Sequence, residues 1–140
     1  MLKTWVKKVK EVQRDWKIID AKDQALGRLA SHVANLLIGK SKADYTPHVM
    51  GGDFVIVINS NQVKLTGKKW SQKKYYTKSR FVGSLKEKLA KDLSSEELIR
   101  HAVGGMLPKN THRPRALKRL KIFKDSSHNY EDKKPTAFTI

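Results

Sequence analysis

The stretch Phe54-Val-Ile-Val-Ile58 is continuously apolar and rich in β-branched residues. It is bounded by Gly51-Gly52-Asp53 on one side and by Asn59-Ser-Asn61 on the other, and both clusters are typical of turns. A strand with one face in water alternates apolar and polar residues, whereas a strand covered on both faces does not. The run therefore predicts a central strand of a layered sheet.

A further strand and a helix are predicted upstream of this run. The segment Asp15-Trp-Lys-Ile-Ile-Asp-Ala21 has a short apolar centre and is followed by a turn at 22–24. An apolar stripe with helical spacing comes next, and Gly39 provides a helix stop. Strand, helix and strand in succession are typical of a layered α/β fold. The stripe consists of Leu26, Leu29, Ala30, Val33 and Leu37.

Shorter elements are predicted downstream of the central run. The segment 62–66 suggests another strand after a tight turn at 60–61, and Leu85 with Leu89 suggests a short helix. A longer helix is expected after a cap at Ser94 or Ser95, because acidic residues favoured by the helix dipole follow. Its acidic first turn and its apolar face are formed by Glu96, Glu97, Leu98, Ile99, Ala102 and Val103.

The charge of the chain is strongly one-sided. Its 140 residues include 30 Lys and Arg against 13 Asp and Glu, which gives a formal net charge of +17. Self-repulsion at that level opposes compaction, so a polyanionic partner is the simplest explanation. The absence of cysteine excludes disulfides and thiolate zinc sites. No apolar run approaches the roughly 20 residues that span a bilayer, so we expect a soluble protein without a membrane partner.

Two segments carry this charge without any acidic residue. Segments 64–80 and 109–124 each contain seven Lys or Arg residues, and the first also contains Trp70, Tyr75 and Tyr76. Lys and Arg neutralise phosphates, and aromatic faces stack on unpaired bases, so this pattern favours a nucleic-acid-binding surface over a merely solvated one.

The sequence also predicts the domain organisation. We expect a single domain over 1–140, with a basic extension at about 109–124. A polar tail at about 125–140 is expected to order only against a partner.

Motifs for other chemistry are weak. The sequence Gly39-Lys40-Ser41 resembles the end of a phosphate-binding loop, but Ala34 stands where the first glycine is needed and the motif closes a helix. Asp20 and Asp53 bracket predicted strands, and a nuclease that uses them with Mg²⁺ is the alternative of the enzyme class. Turn formation is the favoured role for both. The five histidines have no metal-ligand spacing, so no catalytic site, metal, cofactor or small-molecule substrate is predicted.

Several short blocks occur in collinear order, among them Arg14-Asp15-Trp16, Leu26-Gly27-Arg28-Leu29-Ala30, Tyr45-Thr46-Pro47-His48 and Gly105-Met106-Leu107-Pro108-Lys109. With these blocks the chain resembles, over nearly its whole length, the bacterial type of the large-subunit ribosomal protein family L-thirteen. The resemblance implies a three-layer α/β/α domain around a mainly parallel four-stranded sheet, without a catalytic role. It also implies binding to large-subunit ribosomal RNA and a function early in subunit assembly. Two departures from the family pattern are Gly104 and His112-Arg113-Pro114.

The partners expected from charge and resemblance are large-subunit ribosomal RNA and neighbouring large-subunit proteins. The expected location is the ribosome in a bacterial cytoplasm, with an organellar ribosome as the minor option. A regulator that binds a messenger RNA or a protein away from the ribosome remains an alternative. The side chains expected to contact RNA are Arg28, Lys40, Lys42, Tyr45, His48, Lys68, Lys69, Trp70, Lys73, Lys74, Tyr75, Lys109, Arg113, Arg115, Lys118, Arg119 and Lys121.

Overall fold

A computed structural model describes residues 6–140. The strands are β1 (Trp16–Asp20), β2 (Phe54–Ile58), β3 (Lys74–Thr77), β4 (Lys86–Leu89), β5 (Leu120–Ile122) and β6 (Thr136–Ala137). The α-helices are α1 (Leu26–Ile38), α2 (Lys69–Gln72), α3 (Ser95–Met106) and α4 (His112–Lys118). Among residues 6–140, no helix is both long and apolar enough to cross a membrane.

A four-stranded sheet in the order β5-β2-β1-β6 forms the centre of the fold, and every neighbouring pair is parallel. Strand β2 pairs with β1 from Trp16↔Phe54 onward and with β5 on its other side. The three central side chains of β2 are fully buried. The predictions of an α/β fold, a parallel four-stranded sheet and a central strand at 54–58 are therefore confirmed.

Helix α1 packs against one face of this sheet, and α3 packs against α1. The apolar stripe of α1 joins Ile19, Val55 and Val57 in the main hydrophobic core, as predicted from its spacing. Gly39 ends α1 in the left-handed conformation with φ of 83°, where glycine has no steric penalty. Of the two candidate caps for α3, Ser94 is used, because its hydroxyl accepts a hydrogen bond from Glu97 N at 3.2 Å.

The opposite face of the sheet is covered by aromatic side chains. Trp16 stacks on its register partner Phe54 with ring centroids 4.4 Å apart and on Tyr130 at 5.0 Å. Residues along a strand alternate between faces, so Trp16 points away from the face that Ile19 presents to α1. The C-terminal segment therefore closes the second side of the sheet.

Two elements predicted from the sequence are wrong. Instead of a strand at 62–66, residues Ser60–Gln62 form a 3-10 turn, and only a single bridge joins Lys64 to Ala25. Instead of a helix at Leu85 and Leu89, residues 86–89 form β4, which pairs antiparallel with β3. The spacing of the two leucines does not mark a buried stripe, since Leu85 is 56% exposed at the end of a hairpin.

Both C-terminal segments are folded onto the body. The basic segment 109–124 contains α4 and β5, and Leu120 of β5 belongs to the core. The expectation that the tail from 125 onward orders only against a partner is wrong, because β6 pairs with β1 at the edge of the sheet. Main-chain hydrogen bonds to β1 are open to any extended segment, whatever the polarity of its side chains.

Candidate nucleic-acid interface

Helix α2 presents a cluster of cations to solvent. Lys68 precedes this four-residue helix, Lys69 begins it and Lys73 follows it, and all three are exposed. Trp70 is 43% exposed on the same turn. Its ring is therefore accessible to a base, and the surrounding ammonium groups favour the phosphates on either side of that base.

The adjoining hairpin, residues 74–89, projects from the body as a two-stranded ribbon formed by β3 and β4. Lys74 donates a hydrogen bond to Glu87 on the facing strand at 2.8 Å, and this bond raises the pKa of the Lys74 ammonium. The loop between the strands places Phe81 and Val82 in solvent, with exposures of 80% and 105%. These apolar residues were not identified from the sequence, where only the cations and rings before position 81 stood out.

Tyr75 joins the hairpin to the body. It is half-buried, packs against the core, and its ring centroid lies 5.3 Å from that of His101 on α3. Lys73 Nζ lies 5.3 Å from the centroid of the same ring. The ring is therefore engaged within the protein, whereas Trp70 and Tyr76 are accessible, with exposures of 43% and 58%.

The two lysines in the loop after α1 have different environments. Lys40 is exposed, whereas Lys42 donates to the Asp53 carboxylate at 2.5 Å and to Gln13 O at 3.0 Å. The Asp53 carboxylate is buried and also accepts a bond from Asp15 N at 3.0 Å. Because a carboxylate inside the protein neutralises it, the charge of Lys42 contributes less to the surface than that of Lys40.

Arg119, which was also expected to contact RNA, lies inside the protein. It is 8% exposed, and its guanidinium donates to Gly52 O and to Leu37 O. These bonds connect the C-terminal end of α1 to the start of β2. Burial lowers the pKa of Arg119, the nearby charge of Arg14 lowers it further, and Asp53 raises it.

The remaining predicted residues lie around α4 and at four further positions. Lys109, Arg115 and Lys118 are exposed around α4, and Arg113 is half-buried. A Cβ placed on Gly104 would lie 3.4 Å from Arg113 Nη2, so the two positions expected to depart from the family pattern are neighbours in space. The residues that lie elsewhere are Arg28, exposed on α1; Tyr45, half-buried; His48, exposed; and Lys121, half-buried on β5.

The two carboxylates considered for metal binding lie at opposite ends of the sheet. Asp20 ends β1, whereas Asp53 precedes the first residue of β2 at the opposite end of this parallel pair. Five residues of strand place them roughly 16 Å apart, too far for a shared ion. Asp20 is bonded to Lys22 N and to Asn59 Nδ2. Within residues 6–140, no cluster of three His, Asp or Glu side chains is arranged to hold a metal.

A family model described as ribosomal protein L13 matches residues 14–129. The chain belongs to the ribosomal protein L13 family. Similar proteins named large ribosomal subunit protein uL13 come from Pelobacter propionicus, at 49% identity over 99% of this chain and 100% of the relative, and from Aquifex aeolicus, at 48% over 99% of each. A relative from Clostridioides difficile is 44% identical over 99% of both chains. Membership in the structural L13 family confirms the expectation that the chain is not an enzyme.

Proposed function

We propose that this L13 family chain is a structural component of the large ribosomal subunit and binds large-subunit ribosomal RNA. The observation that carries the proposal is the set of exposed Lys and Arg side chains on α2, the hairpin 74–89 and α4. It lies on a chain with a net charge of +17. Three relatives with the large-subunit name, each matched over its full length or 99% of it, support the placement in that subunit.

The mode of recognition follows from the kinds of side chain. Lysine and arginine bind phosphates irrespective of sequence, so the protein would recognise the shape of folded RNA, with Trp70 available for one unpaired base. The buried sheet holds these elements in fixed relative positions. Such a platform would stabilise a local RNA fold and so support early assembly of the subunit in a bacterial cytoplasm, beside neighbouring large-subunit proteins.

Binding to a large-subunit ribosomal RNA fragment, measured across a salt series, tests this function. The logarithm of the affinity is expected to fall linearly with the logarithm of salt, by about 0.7 to 0.9 for each phosphate contact. Sedimentation through a high-salt sucrose gradient is the complementary measurement, and the protein should remain with the large subunit. Salt-insensitive binding together with release from the subunit would contradict the proposal.

A further inference from the structure

A concavity open to solvent lies away from the hairpin, between the segment before β1, the loop before β2 and helix α4. Its polar lining comes from guanidinium and imidazole groups, and its apolar lining includes Met50 and Phe54. No carboxylate is found among the lining residues in the described part of the chain. The cationic and imidazole side chains are Arg14, His48, His112, Arg115 and Arg119.

Two of these groups are held in position by the fold. Arg14 Nη2 donates to Met50 O at 3.3 Å, and Arg119 is fixed by its bonds to the carbonyls of Gly52 and Leu37. His112 Nδ1 and Arg119 Nε are buried and have no hydrogen-bond partner among residues 6–140. Buried polar atoms are normally satisfied, so two such atoms without a partner beside a concavity indicate a missing hydrogen-bond partner.

The charges around the concavity are not balanced from within. Arg14 is close enough to Arg119 for the two positive charges to repel, and this repulsion lowers the pKa of Arg119. Asp53 opposes this effect, but its carboxylate is already bonded to Lys42. A cation shielded from water is stable when a counter-charge lies nearby. An anion in the concavity would supply that charge.

We propose that this concavity binds one phosphate of the RNA backbone. Arg14 and Arg115, which are exposed at its rim, would hold the phosphate oxygens, with His48 and His112 as further donors. Guanidinium groups match phosphate geometry with paired hydrogen bonds, which lysine cannot form. The inference rests on the proposed RNA binding and adds a fixed contact that sets the register of the protein on its RNA.

The test compares two double variants of the full chain that remove equal charge. Arg14→Gln with Arg115→Gln alters the concavity, and Lys78→Gln with Arg80→Gln alters the hairpin loop. All four side chains are exposed, so both variants should fold, and thermal unfolding checks this. The concavity pair should lower affinity for the ribosomal RNA fragment about tenfold more than the hairpin pair, because its two guanidinium groups would hold one phosphate together through paired hydrogen bonds.

The outcomes separate this inference from the proposed function. If the unmodified protein does not bind the RNA, the proposed function fails. If it binds and both variants lose affinity equally, the phosphate contact is overturned while RNA binding stands.

Inorganic phosphate, followed by NMR signals of the His48 and His112 imidazoles, tests the source of the anion. In the unmodified protein the imidazole signals should shift saturably with phosphate, and in the concavity double variant they should not. Together with a larger loss of RNA affinity in the concavity double variant than in the hairpin double variant, this result supports the site. Saturation by phosphate without that excess loss would overturn the assignment to RNA.

Discussion

The end of the sheet around Arg119 and the hairpin 74–89 use basic residues in opposite ways. At the sheet end, Arg119 is 8% exposed and bonded to two carbonyl oxygens, and Lys42 is paired with the buried Asp53. In the hairpin the lysines stand in solvent, and one of them, Lys74, is paired with Glu87. In this chain the environment of a cation, rather than its residue type, therefore decides whether it stabilises the fold or stays available for the proposed RNA contact.

Removal of Arg119 should have the largest effect on stability. Arg119→Met leaves the carbonyls of Gly52 and Leu37 without their donor, so we expect the free energy of unfolding to fall by about 4 kcal/mol. Urea denaturation measures this. Arg119→Lys is the matched control, and it should recover only part of the loss because an ammonium cannot reproduce the planar fork. A loss below about 1 kcal/mol would show that the buried guanidinium is not a structural tie.

Substitution of Gly52, whose backbone lies close to that of Leu37, should have the second-largest effect on stability. A Cβ at this position would lie 1.9 Å from Leu37 O, so Gly52→Ala forces α1 away from β2 and should cost about 3 kcal/mol. Gly51→Ala is an adjacent control, because a Cβ there meets nothing within 4 Å. Thermal unfolding of both variants decides the matter. Equal melting temperatures would mean that the contact does not constrain the sheet end.

Shortening the hairpin should lower the affinity for RNA and leave the stability nearly unchanged. Thr77 and Lys86 are paired, so an Asn-Gly turn can replace residues 78–85 and close the same two strands. The body should keep its stability to within about 1 kcal/mol, because no residue of this loop belongs to the core. Affinity for the ribosomal RNA fragment should fall about tenfold through the loss of Lys78 and Arg80. Unchanged affinity at low salt would remove this loop from the RNA-binding surface.

Substitution of Glu87 should have the smallest effect, a slight change in the affinity for RNA. Glu87→Gln removes the carboxylate that raises the pKa of Lys74, while the ammonium remains charged at neutral pH. Because the variant lacks a negative charge that would repel the proposed phosphate partner, affinity for the RNA should rise about twofold at low salt and less at high salt. The melting temperature should stay the same, since the pair is exposed. Weaker RNA binding by this variant would indicate that Glu87 orients Lys74.

Local sequence patterns predicted the helices and strands whose buried residues follow the hydrophobic pattern of that element. The run at 54–58, the stripe of α1 and the cap at Ser94 all agree with the structure, because each depends on neighbours within a few residues. Strand β4, with its sequence Lys-Glu-Lys-Leu, lacks an apolar period and exists through its pairing with β3. Strand β6 is likewise defined by its pairing with β1.

The sequence by itself determined the α/β class, the central strand, the first helix, the excess of positive charge and the resemblance to the family. Only the tertiary structure decided which cations are internal and which can reach a partner. Arg119 and its acceptors are 67 and 82 positions apart along the chain, and Arg14 meets Arg115 at one concavity because the sheet brings distant segments to the same end. The physical reason is that burial and pairing depend on long-range packing, which residue type and local spacing do not specify.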